Sequence, residues 1–174
     1  MAWNIDPVHS QVSFSLKHMM VSTVRGNFKV FGGKLEIDEA NPQNSWVEAQ
    51  ADAASIDTRE PNRDNHLRSA DFFDAGKYPV ISFKSKKVEP VSNDEYRVLG
   101  DLTMHGVTRE VLFNAEYSGQ LKDAYGKQRA GLTAKATINR KDFGLNWNAA
   151  LESGGVLVSD KVNIEIDLAA VKEE

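Results

Sequence analysis

The chain has 174 residues, a net charge of −4, 41% hydrophobic residues, 9% aromatic residues and no cysteine. This length suits a single domain over residues 1–174 with a core of its own. The absence of cysteine excludes disulfide frameworks, thiolate metal sites and thiol nucleophiles. The mild acidity disfavours nucleic acid, and equally an anionic membrane surface, as the main partner.

The N-terminus shows no basic region, apolar stretch or cleavage site of a secretion leader. No window reaches the roughly 18 apolar residues of a membrane-spanning helix, so we expect no integral membrane segment. The sequence as written predicts a cytoplasmic product, and a periplasmic one if a leader has been removed.

The first segments alternate between apolar and polar residues with the period of a half-buried strand. Val8–His18 and Val24–Val30 are predicted strands, and a change of phase at Gly32-Gly33 predicts a bulge there. Trp46–Thr58 is a third strand whose inner face carries mostly small side chains, which are poor strand formers by propensity.

The stretch 59–78 breaks this pattern and predicts a short helical insertion, with Asn62 as its N-cap. Five further strands are predicted after it: Val80–Val88, Tyr96–His105, Arg109–Gln120, Arg129–Arg140 and Val156–Val171. About eight long, sequential strands avoid exposed edges by closing on themselves. The predicted fold class is therefore all-β: an eight-stranded antiparallel up-and-down, lipocalin-like barrel with a short helical insertion around residues 59–78.

The inward alanines leave space inside such a barrel. Either a long apolar ligand fills it, or aromatic side chains such as Trp46 and Trp147 lean in and make the core solid; the pattern leaves both open. Alternation predicts an apolar cavity wall made of Phe14, Leu16, Phe28, Val30, Val47, Ala49, Ala51, Ala53, Phe83, Phe113, Leu132, Ala134, Ala136, Ile138 and Ile164.

The insertion is rich in cations and carboxylates. Its cations either form an ion-pair network with Asp64 and Asp71 that pins the insertion over one barrel end, or leave one or more arginines to meet a polar or phosphorylated head group. These cations are Arg59, Arg63, His66 and Arg68. The candidates for the cavity mouth are Arg25, Arg63, His66, Arg68 and Phe72. The connections Phe143–Trp147 and Leu151–Gly155 are also predicted to border the opening.

Motifs for catalysis and metal binding are absent from the sequence. The four histidines lack metal-ligand spacings, no serine lies in a nucleophile elbow, and no phosphate or dinucleotide fingerprint occurs. We therefore predict no catalytic residues, no metal and no cofactor other than a bound lipid.

Ordered motifs along nearly the whole chain carry a resemblance. They are Trp3–Ser10, Val24–Phe28, Asn62–Asp74, Tyr78–Phe83, Gly100–Thr108, Asn139–Gly144 and Val158–Val162. With these motifs the chain strongly resembles the YceI-like polyisoprenoid-binding family. The resemblance implies a lipocalin-like barrel with a long isoprenoid or other lipid tail inside, a homodimer, and no established enzymatic reaction.

Three hypotheses on function follow. The first is non-catalytic binding, transport or storage of a long apolar lipid, such as a polyisoprenoid, a quinone tail or a polyprenyl pyrophosphate. The second is a stress-related protein that takes up fatty acids or amides without selectivity. The third is a lipid-modifying enzyme that the sequence motifs do not show.

Overall fold

The computed structural model describes residues 2–149 and 157–174, which form mainly long antiparallel strands. Within these residues the only α-helix is α1 (Pro61–Arg68). The strands are β1 (Trp3–Ile5), β2 (Gln11–His18), β3 (Ser22–Phe28), β4 (Phe31–Glu36), β5 (Trp46–Asp52), β6 (Ile56–Asp57), β7 (Val80–Ser92), β8 (Glu95–Met104), β9 (Val107–Lys122), β10 (Gln128–Asn139) and β11 (Lys161–Lys172).

The sheet closes on itself. Its neighbours follow the order β1-β4-β5-β7-β8-β9-β10-β11, and β11 pairs again with β1. The segments β2 and β3 continue the same circuit, because β2 pairs with both β11 and β3, and β6 pairs with β3. The segments therefore make a closed, eight-stranded, antiparallel up-and-down barrel with one helical insertion, which confirms the predicted fold class.

The alternation of polarity fixes which face of each strand lies inside. In the β10–β11 pair, Ala134 lies opposite Ile166, and one residue further on Lys135 lies opposite Glu165 on the outer face. Since successive side chains point to opposite faces, this register buries one apolar row from each strand. Both strands have 12 residues, as the long predicted segments require.

The prediction that Val30 faces inward is wrong, because Val30 is 54% exposed. The circuit bends at residues 29–30, before the predicted bulge: Lys29 N donates to Ser55 O, and Asp52 N donates to Val30 O. Phe31 takes the next inward position. Gly33 remains in β4, where a side chain would collide with the backbone of β5 at Glu48.

Three further boundaries differ from the sequence pattern. The predicted strand Trp46–Thr58 is interrupted by a 3₁₀ turn, Ala53–Ser55. The predicted start of the first strand at Val8 is wrong, because Pro7–His9 is a 3₁₀ turn. The helix is capped by Glu60, whose carboxylate accepts from two backbone N–H groups, and Asn62 is the second helical residue.

The two ends of the barrel carry different elements. The helix end holds α1, the β2–β3 hairpin, the β8–β9 hairpin and the segment that follows β10. The terminal end holds the start of β1, the end of β11 and the connection 37–45. Within the described residues no helix is long and apolar enough to cross a membrane.

Candidate functional site

The barrel encloses a cavity of about 390 Å³. Aromatic rings line it in contact with one another: the centroids of Phe14 and Phe28 are 5.8 Å apart, and those of Phe83 and Phe113 are 5.0 Å apart. Of the two interiors that the pattern left open, the structure has the cavity. An unfilled apolar space of this kind destabilises a fold, and a ligand that occupies it recovers the lost contacts.

Most of the predicted wall lines this cavity. The lining members are Phe14, Leu16, Phe28, Val47, Ala49, Ala51, Phe83, Phe113, Leu132, Ala134, Ile138 and Ile164. Val30 lies outside the lining on the exposed bend. Ala53 is buried in the 3₁₀ turn, and Ala136 is buried among core side chains, so neither of them contributes to the lining.

The cavity extends along the barrel between its two ends. Ile37 and Trp46 line it at the terminal end, and Leu16 and Trp147 line it at the helix end. Along β11 the lining runs from Val162 to Leu168, a rise of about 20 Å at 3.3 Å per residue. This shape suits a long, narrow ligand.

Three rings meet where the cavity reaches the helix end. The His66 and Phe72 centroids are 5.1 Å apart, His66 and Trp147 are 4.7 Å apart, and Phe72 and Trp147 are 5.3 Å apart. His66 Nε2 also lies 2.7 Å from Asp71 Oδ2. We call these three side chains the aromatic mouth; it includes the predicted His66 and Phe72 and adds Trp147.

Arg63 lines the cavity beside the aromatic mouth. Its Nε donates to Thr58 Oγ1 at 2.8 Å and its Nη2 donates to Thr58 O at 2.7 Å. The buried Asp64 fixes the same threonine by accepting from its N–H and its hydroxyl. Arg63 Nη1 makes no hydrogen bond within the part of the chain that the structure describes. The guanidinium is thus oriented and keeps donor capacity at the cavity.

Two predicted mouth residues lie elsewhere. Arg68 donates to Ala54 O, Ile56 O and Asn65 Oδ1, and it pins the insertion outside the cavity lining. Arg25 lies on the outer face of β3 and borders a shallow exterior groove. Of the ion-pair network that was one of the two alternatives for the insertion, the described residues form the pair His66–Asp71. Arg63 and Arg68 bond instead to carbonyl, hydroxyl and amide oxygens.

The sequence analysis missed Arg140, which is only 3% exposed. Its guanidinium donates to the carbonyl oxygens of Leu145, Trp147, Val158 and Ser159. Burial lowers its pKa, while the charge of Asp160 acts in the opposite direction. Continued alternation after Ile138 would have placed Arg140 on the inward face. Arg140 thereby fixes the segments beside the aromatic mouth, although Leu151–Gly155 lie outside the described residues.

The terminal end of the cavity carries carboxylates, which the sequence analysis also missed. Glu36, Asp38 and Glu39 line it. Tyr117 OH donates to Glu39 Oε1 at 2.7 Å, and the pKa of Tyr117 is raised by burial and then by this hydrogen bond. Asp38 Oδ1 accepts from Asn41 N. The cavity therefore has a cationic side chain near the helix end and anionic ones at the terminal end.

The four histidines lie in separate environments. His9 contacts Asp6, His66 contacts Asp71, and His105 lies in the β8–β9 turn with Nδ1 3.1 Å from Phe143 O. His18 lines the cavity at the helix end. Among the described residues, no three His, Cys, Asp or Glu side chains are grouped so that they could hold a metal ion.

Comparison with known sequences matches residues 3–170 to the family described as the YceI-like domain. A UPF0312 protein of Staphylococcus epidermidis is 40% identical over 164 residues, which cover 94% of this chain and 93% of that protein. A UPF0312 protein of Vibrio cholerae is 40% identical over 165 residues, which cover 95% and 83% of the two chains.

Solved structures share the fold. The YceI protein of Campylobacter jejuni is 33% identical with a TM-score of 0.79 and covers 91% of each chain. BcnA of Burkholderia cenocepacia has a TM-score of 0.84 at 24% identity, covering 95% of this chain and 98% of that one. A polyisoprenoid-binding domain from Saccharophagus degradans has a TM-score of 0.69 at 18% identity, covering 98% of each chain. The last two show the fold alone.

Proposed function

This chain belongs to the YceI-like family, and we propose that it binds, transports or stores a long apolar lipid in its barrel without chemically changing it. The observation that carries the proposal is the elongated apolar cavity of about 390 Å³. Each CH₂ group that leaves water for such a cavity contributes about 0.8 kcal/mol. Affinity therefore rises with the length of tail that the barrel encloses.

The ligand class that we propose is a polyisoprenoid, a quinone with an isoprenoid tail, or a polyprenyl pyrophosphate. A branched chain without polar atoms fits a lining of aromatic and aliphatic side chains. The polyisoprenoid-binding domain from Saccharophagus degradans shares this barrel, which supports the same class here.

The charges at the two ends of the cavity favour one orientation of the ligand. Arg63 lines the helix end with Nη1 unpaired among the described contacts, and guanidinium suits phosphate or carbonyl oxygens. Glu36, Asp38 and Glu39 at the terminal end disfavour an anionic head group. We therefore propose that the head group lies at the aromatic mouth and the tail points towards the terminal end.

Extraction of the purified protein with organic solvent, followed by mass spectrometry, tests this function. We expect one chemically intact isoprenoid species near one molecule per chain. Mixed fatty acids would support the non-selective alternative instead, and conversion of an added isoprenoid would support the enzyme. A protein that neither retains nor takes up any lipid would contradict the proposal. The homodimer, the compartment and the absence of a cofactor stay predictions.

A matched pair of alanines in β10 tests whether the cavity is the binding site. Both are 8% exposed, lie on the same face and belong to the same core cluster, but only Ala134 lines the cavity. We expect Ala134→Phe to remove most of the bound lipid while the fold keeps its stability. Ala136→Phe should instead overpack the core and destabilise the fold by about 1–3 kcal/mol. Unchanged lipid content in Ala134→Phe would place the ligand elsewhere.

A further inference from the structure

The β2–β3 hairpin ends in three consecutive exposed apolar residues at the helix end. Met19 is 48% exposed, Met20 is 62% exposed and Val21 is 84% exposed. The other exposed large apolar residues of the described chain, such as Val91 and Tyr125, are not adjacent to one another in the sequence. Single exposed apolar residues are ordinary, whereas a contiguous apolar tip marks an interaction site.

The backbone of this tip is also unusual. Met19 and Met20 have φ values of +54° and +62°, and Val21 N donates to His18 O to close the turn. Positive φ at both central residues is the pattern of a type I′ hairpin turn, which favours Asn-Gly. Two methionines adopt this unfavourable backbone conformation, and their side chains are exposed to solvent.

The hairpin itself carries positive charge although the whole chain is negative. On the adjacent segment, Asp160 lies 3.5 Å from Lys141 Nζ. From Pro7 to Leu35 the sequence contains no Asp or Glu, while it contains Lys17, Arg25 and two further lysines. Lys29 and Lys34 pair with carboxylates from other segments. Lys17 lies adjacent to the tip, and its Nζ bonds only to the hydroxyl of Thr23 among the described contacts. Local charge matters for a surface contact, since screening limits the range to about a Debye length of 8–10 Å.

The tip is continuous with the cavity. His18 and Val24, which flank it on β2 and β3, both line the cavity. Met19 N donates to Leu157 O, and Leu157 lines the cavity too. A surface that receives the tip therefore also meets the helix end of the barrel. By contrast, docking at the terminal end would bring the cavity carboxylates against that surface.

We propose that the Met19–Val21 tip docks on an anionic lipid bilayer, with Met19, Met20 and Val21 in the interfacial region and Lys17 and Arg25 near the head groups. An apolar wedge with flanking cations matches the two attractions that hold peripheral proteins on such bilayers. The charge of the hairpin thus overrides the expectation from overall acidity. The proposal rests on the lipid-carrying function and adds to it the surface from which lipid is exchanged.

The test is co-sedimentation of the full chain with vesicles of phosphatidylcholine containing about one third phosphatidylglycerol, and with phosphatidylcholine alone. We expect binding to the anionic vesicles that weakens with added salt. Met19→Asn/Met20→Gly should lower the partition coefficient by about tenfold or more. Because Asn-Gly suits the turn, this variant should melt no earlier than the parent protein, so lost binding will not reflect unfolding.

Two single variants complete the design. Lys17→Gln should reduce binding about fivefold at low salt. Tyr125→Ser is the matched control, because Tyr125 is 90% exposed in the β9–β10 turn at the terminal end, and it should leave binding unchanged. Equal binding by the parent protein and the Asn-Gly variant would overturn the proposal. A tip that mediates only self-association, seen as loss of a dimer in sedimentation equilibrium without vesicle binding, would overturn it too.

The outcome separates this proposal from the lipid-carrying function. A protein that contains extractable lipid but does not sediment with vesicles contradicts the docking surface alone. A protein that sediments with vesicles through the tip but never holds lipid contradicts the carrier function and leaves the docking surface in place.

Discussion

The two ends of the barrel are held by arginines in opposite environments. Arg140 at the helix end is 3% exposed, and its hydrogen bonds go to backbone carbonyl oxygens. Arg129 at the terminal end has a side chain that is 31% exposed and bridges the carboxylates of Asp6 and Asp123. The helix end is therefore stabilised by a buried charge whose interactions are screened little by salt. The terminal end is stabilised by a partly solvated ion-pair cluster, which salt screens more strongly.

The largest expected effect comes from exchanging each arginine for methionine. Arg140→Met leaves several buried carbonyl groups without a donor, and we expect a loss of about 3–5 kcal/mol in the free energy of unfolding. Arg129→Met should cause a much smaller loss that shrinks with added salt. Denaturant unfolding at low and high salt measures both. Equal losses, or a salt-sensitive loss for Arg140→Met, would contradict the contrast between the ends.

The next effect concerns ligand selection at the helix end. We expect Arg63→Gln to weaken binding of farnesyl pyrophosphate about tenfold and to change binding of farnesol little, because a charge-assisted contact contributes about 1.5–3 kcal/mol. The ratio of the two affinities, measured by displacement of a fluorescent lipid, is insensitive to a general loss of stability.

Matched variants localise that effect. Arg25→Gln changes an arginine on the outer face and should leave the ratio unchanged. Glu39→Gln removes a carboxylate at the terminal end, and it should also leave the ratio of the two affinities unchanged. A ratio that shifts with Glu39→Gln and not with Arg63→Gln would reverse the proposed orientation.

A smaller effect is expected for Tyr117 at the terminal end. Tyr117→Phe removes the hydrogen bond to Glu39 Oε1, which ties the connection 37–45 to β9. We expect a loss of about 1 kcal/mol in stability. Thermal unfolding and amide hydrogen exchange of residues 37–45 are the measurements. Increased exchange at the helix end instead would show that the ends are coupled rather than independent.

The smallest effect is a dependence on acid at the terminal end. The pKa of Asp6 is lowered by its hydrogen bond with His9 and by Arg129, and the pKa of Asp123 is lowered by its hydrogen bond from Arg129. A carboxylate with a lowered pKa stabilises the fold above its unfolded value, near 3.9, and this contribution is lost as the pH falls through the folded pKa.

Melting temperatures should be measured from pH 6 downwards. At about pH 4 and below, the melting temperature should fall less steeply with falling pH for Asp6→Asn than for the parent protein. The helix-end variant Arg63→Gln should keep the parent slope. An identical slope for Asp6→Asn would remove Asp6 from the acid response.

Alternation predicted those parts of the barrel where strands are long and uninterrupted. In β9 and β10 it placed Phe113, Leu132 and Ala134 at the cavity, because a period of two leaves no choice of face once one face is apolar. The break in this alternation over residues 59–78 predicted the helical insertion, and the residues of the insertion itself supplied the mouth candidates His66 and Phe72.

The errors occur where tertiary hydrogen bonds interrupt a strand. Val30 faces solvent because backbone bonds between residues 29–30 and residues 52–55 bend the circuit, and the sequence does not show these pairings. Arg63 and Arg68 are five residues apart in an insertion with many acceptors, so only the fold decides which one reaches the cavity. Arg140 was predictable from parity, but its carbonyl partners lie on a segment that alternation does not describe.

The three tryptophans allow the orientation of the lipid in the barrel to be tested directly. Trp147 is part of the aromatic mouth, whereas Trp3 and Trp46 lie towards the terminal end. An isoprenoid with a nitroxide at its head group should quench the fluorescence of the parent protein and of Trp46→Phe, but quench Trp147→Phe only weakly. Strong quenching in Trp147→Phe that disappears in Trp46→Phe would place the head group at the terminal end and contradict the account.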